Sequence, residues 1–135
     1  MNKGPINQIT VYDLESFGLK PTLNNYQSIA TKCAIYPGQG TPLGLAYCAL
    51  KLNGEAGELA EHVGKAMRDD DLMRTEMLTL ERKALIVKEV GDVLWYLSAI
   101  CNELGIIFSE AAETNLEKLQ SRGERGKLQG SGDDR

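Results

Sequence analysis

Leu45-Ala46-Tyr47-Cys48-Ala49-Leu50-Lys51-Leu52-Asn53-Gly54-Glu55-Ala56-Gly57-Glu58-Leu59-Ala60-Glu61-His62-Val63-Gly64-Lys65-Ala66 is the stretch that decides the fold. Its apolar residues fall at Leu45, Ala49, Leu52, Ala56, Leu59, Val63 and Ala66, in alternating steps of four and three. That spacing keeps one stripe of a helix turned toward a partner. The same rhythm returns at Ile86, Val90, Val93, Leu97, Ile100 and Leu104, and again at Phe108, Ala112, Leu116 and Leu119. No segment alternates with the period of two that a half-buried strand needs. The expectation is an all-α fold, a helical bundle.

Boundaries follow from cap chemistry. Thr22 is placed as N-cap of a short helix over about residues 23–33. Thr41 is placed as N-cap of a long helix over about residues 42–68, with Pro42 at the first position, where a missing N–H costs little. Tyr36 to Pro42 reads as a loop by its turn residues. Asp69-Asp70-Asp71 opens a connection to about Thr79, and a second long helix runs over about residues 80–104 with Gly105 at its C-cap. Ser109 is placed as cap of a last helix ending near Arg122. This gives an N-terminal extension over residues 1–22, a helical domain over 23–122 and a glycine-rich basic tail over 123–135.

With 135 residues, 42% of them hydrophobic, the chain fits one domain with a modest core that self-association would help to cover. A net charge of −4 runs against general nucleic-acid binding, which wants a basic excess. No stretch reads as a membrane span, and the N-terminus carries no apolar signal core. Cys33, Cys48 and Cys101 form no CxxC pair and read as reduced, buried thiols, which points to a cytoplasmic protein. A single histidine, His62, excludes metal sites built on several histidines.

One position before each apolar residue lies a polar row. In the first long helix it contains Cys48, Lys51, Glu55, Glu58, His62 and Lys65; in the second, Glu89, Asp92, Tyr96 and Ala99. One residue is 100° of helical turn, so these rows flank the apolar stripes. If the two long helices pair antiparallel, the flanks meet, and Glu55, Glu58, Glu89 and Asp92 gather at one half-buried edge. Carboxylates so placed repel one another unless a cation neutralises them. Oxygen-only ligation favours Mg²⁺, with Mn²⁺ as the alternative. The competing reading is a set of solvated helix faces with Lys51 and Lys65 paired to their glutamates. His62 and Trp95 read as packing residues, with contact to the acidic edge or to a base as their alternatives.

Gly54-Glu55-Ala56-Gly57-Glu58-Leu59 followed by Lys88-Glu89-Val90-Gly91-Asp92-Val93-Leu94-Trp95-Tyr96 resembles the MazG-type branch of the all-α nucleoside triphosphate pyrophosphohydrolases, whose signature is E-x-x-E, a spacer, then E-x-x-D. Asn115-Leu116-Glu117-Lys118-Leu119 is similar to the family's N-x-x-K, and the tail looks like the ending of short single-domain members. The resemblance implies Mg²⁺-dependent cleavage of a nucleoside triphosphate to a monophosphate and pyrophosphate, by a homodimer or tetramer in the cytoplasm. It implies metal ligation by Glu55, Glu58, Glu89 and Asp92, with Glu55 or Glu58 as the proton acceptor. Asn115 and Lys118, and with them Arg122, Arg125 and Lys127, are the candidate substrate contacts. Gly54 stands where many relatives carry a further glutamate, which leaves the general base open between the two. Phosphoribosyl-ATP as substrate and a non-enzymatic interaction module with an acidic ion-binding face are the alternatives.

Overall fold

The computed structural model describes residues 20–132, together with Glu15 and Gly18; the expected extension over 1–22 and the end of the tail therefore lie largely outside the described residues. Among the described residues the fold is all-α. The helices are α1 (Leu23–Ala30, continued by a 3-10 turn, Thr31–Cys33), α2 (Pro42–Asp69), α3 (Leu72–Thr75), α4 (Leu80–Glu103) and α5 (Phe108–Glu124).

Local chemistry accounts for the ends. Thr22 accepts from the Asn25 N–H, Thr41 from Leu43 and Thr79 from Arg82, each in extended backbone, so all three threonines act as N-caps. Gly105 follows α4 with φ +70°, a left-handed turn that glycine takes without cost. The connection after α2 is not a plain loop: Leu72–Thr75 makes one helical turn, bounded by Asp71 and Glu76, both at positive φ.

Ser109 is not the cap of the last helix. The N-cap position is Ile107, which has no polar side chain to offer. The orphan N–H groups are satisfied from α1 instead: Gln27 Oε1 accepts from Phe108 N at 2.8 Å and Asn24 Oδ1 accepts from Ser109 N at 2.9 Å. Gln27 Nε2 donates to the Ile106 carbonyl at 3.0 Å, and Asn24 Nδ2 to Ser109 Oγ at 3.0 Å. Two short amide side chains thus lock α1 onto the start of α5.

The hairpin of α2 and α4 is the largest helix contact and is antiparallel: Asp70 at the end of α2 meets Arg82 at the start of α4, and Cys48 packs with Ala99 at the other end. The core there is Tyr36, Cys48 and Ala99, surrounded by Tyr47, Trp95, Tyr96 and Ile100. Trp95 packs as expected, its ring edge-on to Tyr36 and Tyr96 and its Nε1 donating to the Ala30 carbonyl at 3.2 Å. The 36–41 loop is pinned by Glu103, whose oxygens accept from Tyr36 Oη at 2.5 Å and from Gly40 N at 2.8 Å. Gly44 lets that loop close: a Cβ there would sit 2.4 Å from the Gly38 carbonyl oxygen. Cys48 and Cys101 are buried thiols, but Cys33 is exposed, because the 3-10 turn carries it off the packed face.

The apolar stripes divide. Leu45, Leu52, Leu59, Ile86, Val93 and Ile100 turn inward and are half-buried, whereas Ala49, Ala56, Val90, Leu97 and Leu104 stay exposed within the chain. The remaining places in the seam are filled from the polar rows, by Cys48, Glu55 and His62 on α2 and by Glu89, Tyr96 and Ala99 on α4. Glu55 and Glu89 therefore lie in the helix–helix seam, not 100° beside it, while Glu58 and Asp92 stay exposed at its edge.

Candidate metal centre

Glu55 and Glu58 sit one turn apart on α2, and Glu89 faces them from α4; each offers a carboxylate oxygen within 4.8 Å of the others. The side chains of Glu55 and Glu89 retain 15% and 13% of their exposure, so water does little to separate their charges. At an effective dielectric constant near 20, two such anions repel by about 3 kcal/mol before further screening. Cationic relief is slight. Lys51 Nζ lies 3.8 Å from Glu55 Oε1 on a half-exposed stem, a pair that contributes little. His62 Nε2 lies 3.5 Å from Glu89 Oε1, and Lys65 is spent on Glu61 at 2.9 Å, whose carboxyl it holds below the usual range. Three converging oxygen donors with their charge largely uncompensated suit a hard divalent cation.

Asp92 lies outside that group. It is exposed, one turn on from Glu89, and its charge is felt by the phenols of Tyr26 and Tyr96. Burial is the main reason both phenols titrate above their ordinary range; Asp92 adds to it at each, and Tyr47 and Glu55 add more at Tyr96. Tyr26, Tyr96 and Asp92 thus rim the acidic group on its α1 side.

The α5 candidates are arranged separately. Asn115 and Lys118 are exposed on the helix, and Arg125 and Lys127 are exposed just beyond it, with Arg125 Nε donating to the Ser121 carbonyl at 3.2 Å. Arg122 differs. It is 6% exposed and its Nη2 donates to the Gly132 carbonyl at 3.4 Å, while Lys127 N donates to the Arg122 carbonyl at 2.7 Å. The tail folds back over this arginine.

Arg82 had no place in the sequence reading, and Asp70 was read only as part of a connection. Arg82 forks onto Asp70 at 2.6 and 3.2 Å and reaches His62 Nδ1 at 3.3 Å. The signal was present, since Arg82 precedes Glu89 by two helical turns and so shares its face.

A family model described as the MazG nucleotide pyrophosphohydrolase domain matches residues 45–126, which hold every carboxylate of the group and the α5 candidates up to Arg125. The chain belongs to the MazG nucleotide pyrophosphohydrolase family. The Gene 37 protein of Mycobacterium phage L5 is 44% identical over 113 residues, covering 82% of this chain and 96% of that protein. No solved structure matches the chain. MazG membership agrees with the all-α architecture, and among the described residues no helix is long and apolar enough to cross a membrane.

Proposed function

We propose that the protein is a Mg²⁺-dependent nucleoside triphosphate pyrophosphohydrolase that releases pyrophosphate and a monophosphate from (d)NTPs in the cytoplasm. The observation that carries this reading is the convergence of Glu55, Glu58 and Glu89 from two helices inside a MazG-family domain. Bound there, Mg²⁺ or Mn²⁺ supplies charge neutralisation for the polyphosphate and a coordinated water of lowered pKa. Glu55, Glu58 and Glu89 would hold the ion, with Asp92 at the rim as a fourth carboxylate for it. Glu55 or Glu58 accepts the proton as water adds to the α-phosphorus and the bond to the bridging oxygen breaks. Asn115 and Lys118, one turn apart on α5, offer a donor and a point charge to the phosphates. Arg125 and Lys127 extend that positive surface, and Arg122 serves it by holding the tail.

The exposed residues of the α4 stripe support a working homodimer or tetramer. Val90, Leu97 and Leu104 keep 49%, 39% and 55% of their exposure in the single chain.

The test is pyrophosphate release from a panel of nucleoside triphosphates and phosphoribosyl-ATP, with Mg²⁺ and with EDTA. Mg²⁺-dependent release from at least one nucleoside triphosphate, abolished in Glu55→Gln, is the expected result. Turnover of phosphoribosyl-ATP alone would move the substrate assignment. No metal-dependent release from any substrate would return the acidic group to a structural or partner-binding role.

A further inference from the structure

The acidic group is backed by a chain of side chains that its own chemistry does not use. Glu89 touches His62, His62 touches Arg82, and Arg82 is forked onto Asp70. All four are partly or largely buried where the α2–α4 hairpin closes, with side-chain exposures of 13%, 21%, 15% and 18% in that order.

The direction of this chain can be read from its donors. A guanidinium only donates, so at 3.3 Å from Arg82 Nη1 the His62 Nδ1 must be the acceptor. The ring proton then resides on Nε2, the nitrogen 3.5 Å from Glu89 Oε1. A displacement of a few tenths of an ångström brings that contact to ordinary hydrogen-bond length. Asp70 in turn fixes the guanidinium by two bonds, at 2.6 and 3.2 Å, which orients the nitrogen that faces His62.

We propose that His62 is a positioning residue for Glu89, and that Arg82 and Asp70 hold its ring in the tautomer the task requires. The proposal rests on the metal reading above. Glu89 stands within 4.8 Å of two like charges and, left alone, turns away from them before any cation arrives. An N–H directed at Oε1 restrains the carboxylate against that turn. The fork between Arg82 and Asp70 would tie α2 to α4 without His62, so the imidazole's place between Arg82 and Glu89 is not required by the tie itself. Outer partners of this kind change metal affinity by about 10- to 100-fold when removed.

The single histidine makes the test clean, because its imidazole nitrogens give an unambiguous signal in ¹⁵N NMR. Wild-type protein is expected to carry the proton on Nε2. Arg82→Leu removes the donor to Nδ1 and is expected to mix the two tautomers. Mn²⁺ titration of nucleotide-free protein, with free Mn²⁺ read by EPR, supplies the second readout. His62→Ala is expected to weaken Mn²⁺ binding about tenfold, and His62→Gln, which keeps an N–H near the Nε2 position, to restore most of it. Melting temperatures without metal are taken on the same samples. His62→Ala with a lowered melting temperature and unchanged Mn²⁺ affinity would reduce the chain to a structural tie and overturn the proposal. So would a wild-type spectrum with the proton on Nδ1, which decides the matter even if His62→Ala does not fold. Glu89→Gln separates the two layers of the argument. Wild-type protein binding Mn²⁺ no better than Glu89→Gln overturns the metal reading and the positioning role together, whereas intact binding in wild type and His62→Ala alike overturns the positioning role only.

Discussion

Glu89 and Asp92 belong to one E-x-x-D motif, yet the fold treats them differently. Glu89 sits in the seam with its side chain 13% exposed, and Asp92 faces outward beside Tyr26. Their amide variants should therefore differ in stability more than in activity. Glu89→Gln relieves a half-buried repulsion with Glu55 and should raise the metal-free melting temperature; Asp92→Asn should change stability by no more than about 0.5 kcal/mol, the usual range for an exposed site. Both should cut pyrophosphate release by at least about 100-fold if both hold the ion. Thermal melts and pyrophosphate assays on one preparation decide this, and near-normal turnover in Asp92→Asn would confine the centre to three carboxylates. Sequence spacing named all four residues because i and i+3 share a helical face. It could not say which lies inside the hairpin and which on its rim, since that depends on how the partner helix is rolled. Tyr36 makes a second residue-scale case. Burial, with Glu103 as acceptor and the nearby Cys48 thiol, raises its phenol well above the ordinary range, and burial raises Tyr26 and Tyr96 in the same direction. The folded chain then holds protons that the unfolded chain releases near pH 10, so stability falls as pH climbs past 10. Urea melts between pH 9 and 11 should show that loss, with a shallower slope in Tyr36→Phe.

Among the elements, α5 depends most on another helix for its start. Ile107 offers no cap, and the first two N–H groups are answered by Gln27 and Asn24 across the interface. Gln27→Ala would strand the buried Phe108 N–H and the Ile106 carbonyl, at a cost of about 1–3 kcal/mol for each group left unpaired. Equilibrium denaturation should show that loss, and hydrogen exchange should show the first turn of α5 opening before the α2–α4 hairpin. A change under 0.5 kcal/mol would mean that water replaces the amide. The starts of α1, α2 and α4 were legible because their caps are local: Thr22, Thr41 and Thr79 each bond an N–H two or three residues on. The start of α5 was not, because its cap comes from about eighty residues away and leaves no mark in the local sequence. Ser109, one residue inside the helix, has the right chemistry for a cap but bonds Asn24 instead.

At the scale of the whole molecule, the heptad pattern carries two interfaces at once. Within one chain the seam takes Leu45, Leu52 and Leu59 from the apolar stripe and alternates them with Cys48, Glu55 and His62 from the polar row. On α4, Ile86, Val93 and Ile100 alternate with Glu89, Tyr96 and Ala99 in the same way. Three of these seam places, Glu55, His62 and Glu89, thus go to the acidic group and its histidine, which costs hydrophobic burial, and every second residue of the α4 stripe is left outside. Read as sequence, the stripe looks like one core face, since periodicity reports that residues share a side of the helix and not which neighbour covers them. Val90, Leu97 and Leu104 are spaced by seven along α4, a row that a second apolar surface covers well. We expect that surface to be another copy of the chain. Leu97→Glu places a charge in the middle of the row, away from the turn that carries Glu89 and Asp92, and should convert the assembly to monomers in light scattering at micromolar concentration. Because the row faces out of the single chain, the variant should keep the wild-type helical content by circular dichroism. An unchanged molar mass would show that the row faces solvent in the working protein. A monomer that still binds Mn²⁺ but no longer releases pyrophosphate would show that the metal centre belongs to one chain while turnover requires the assembly.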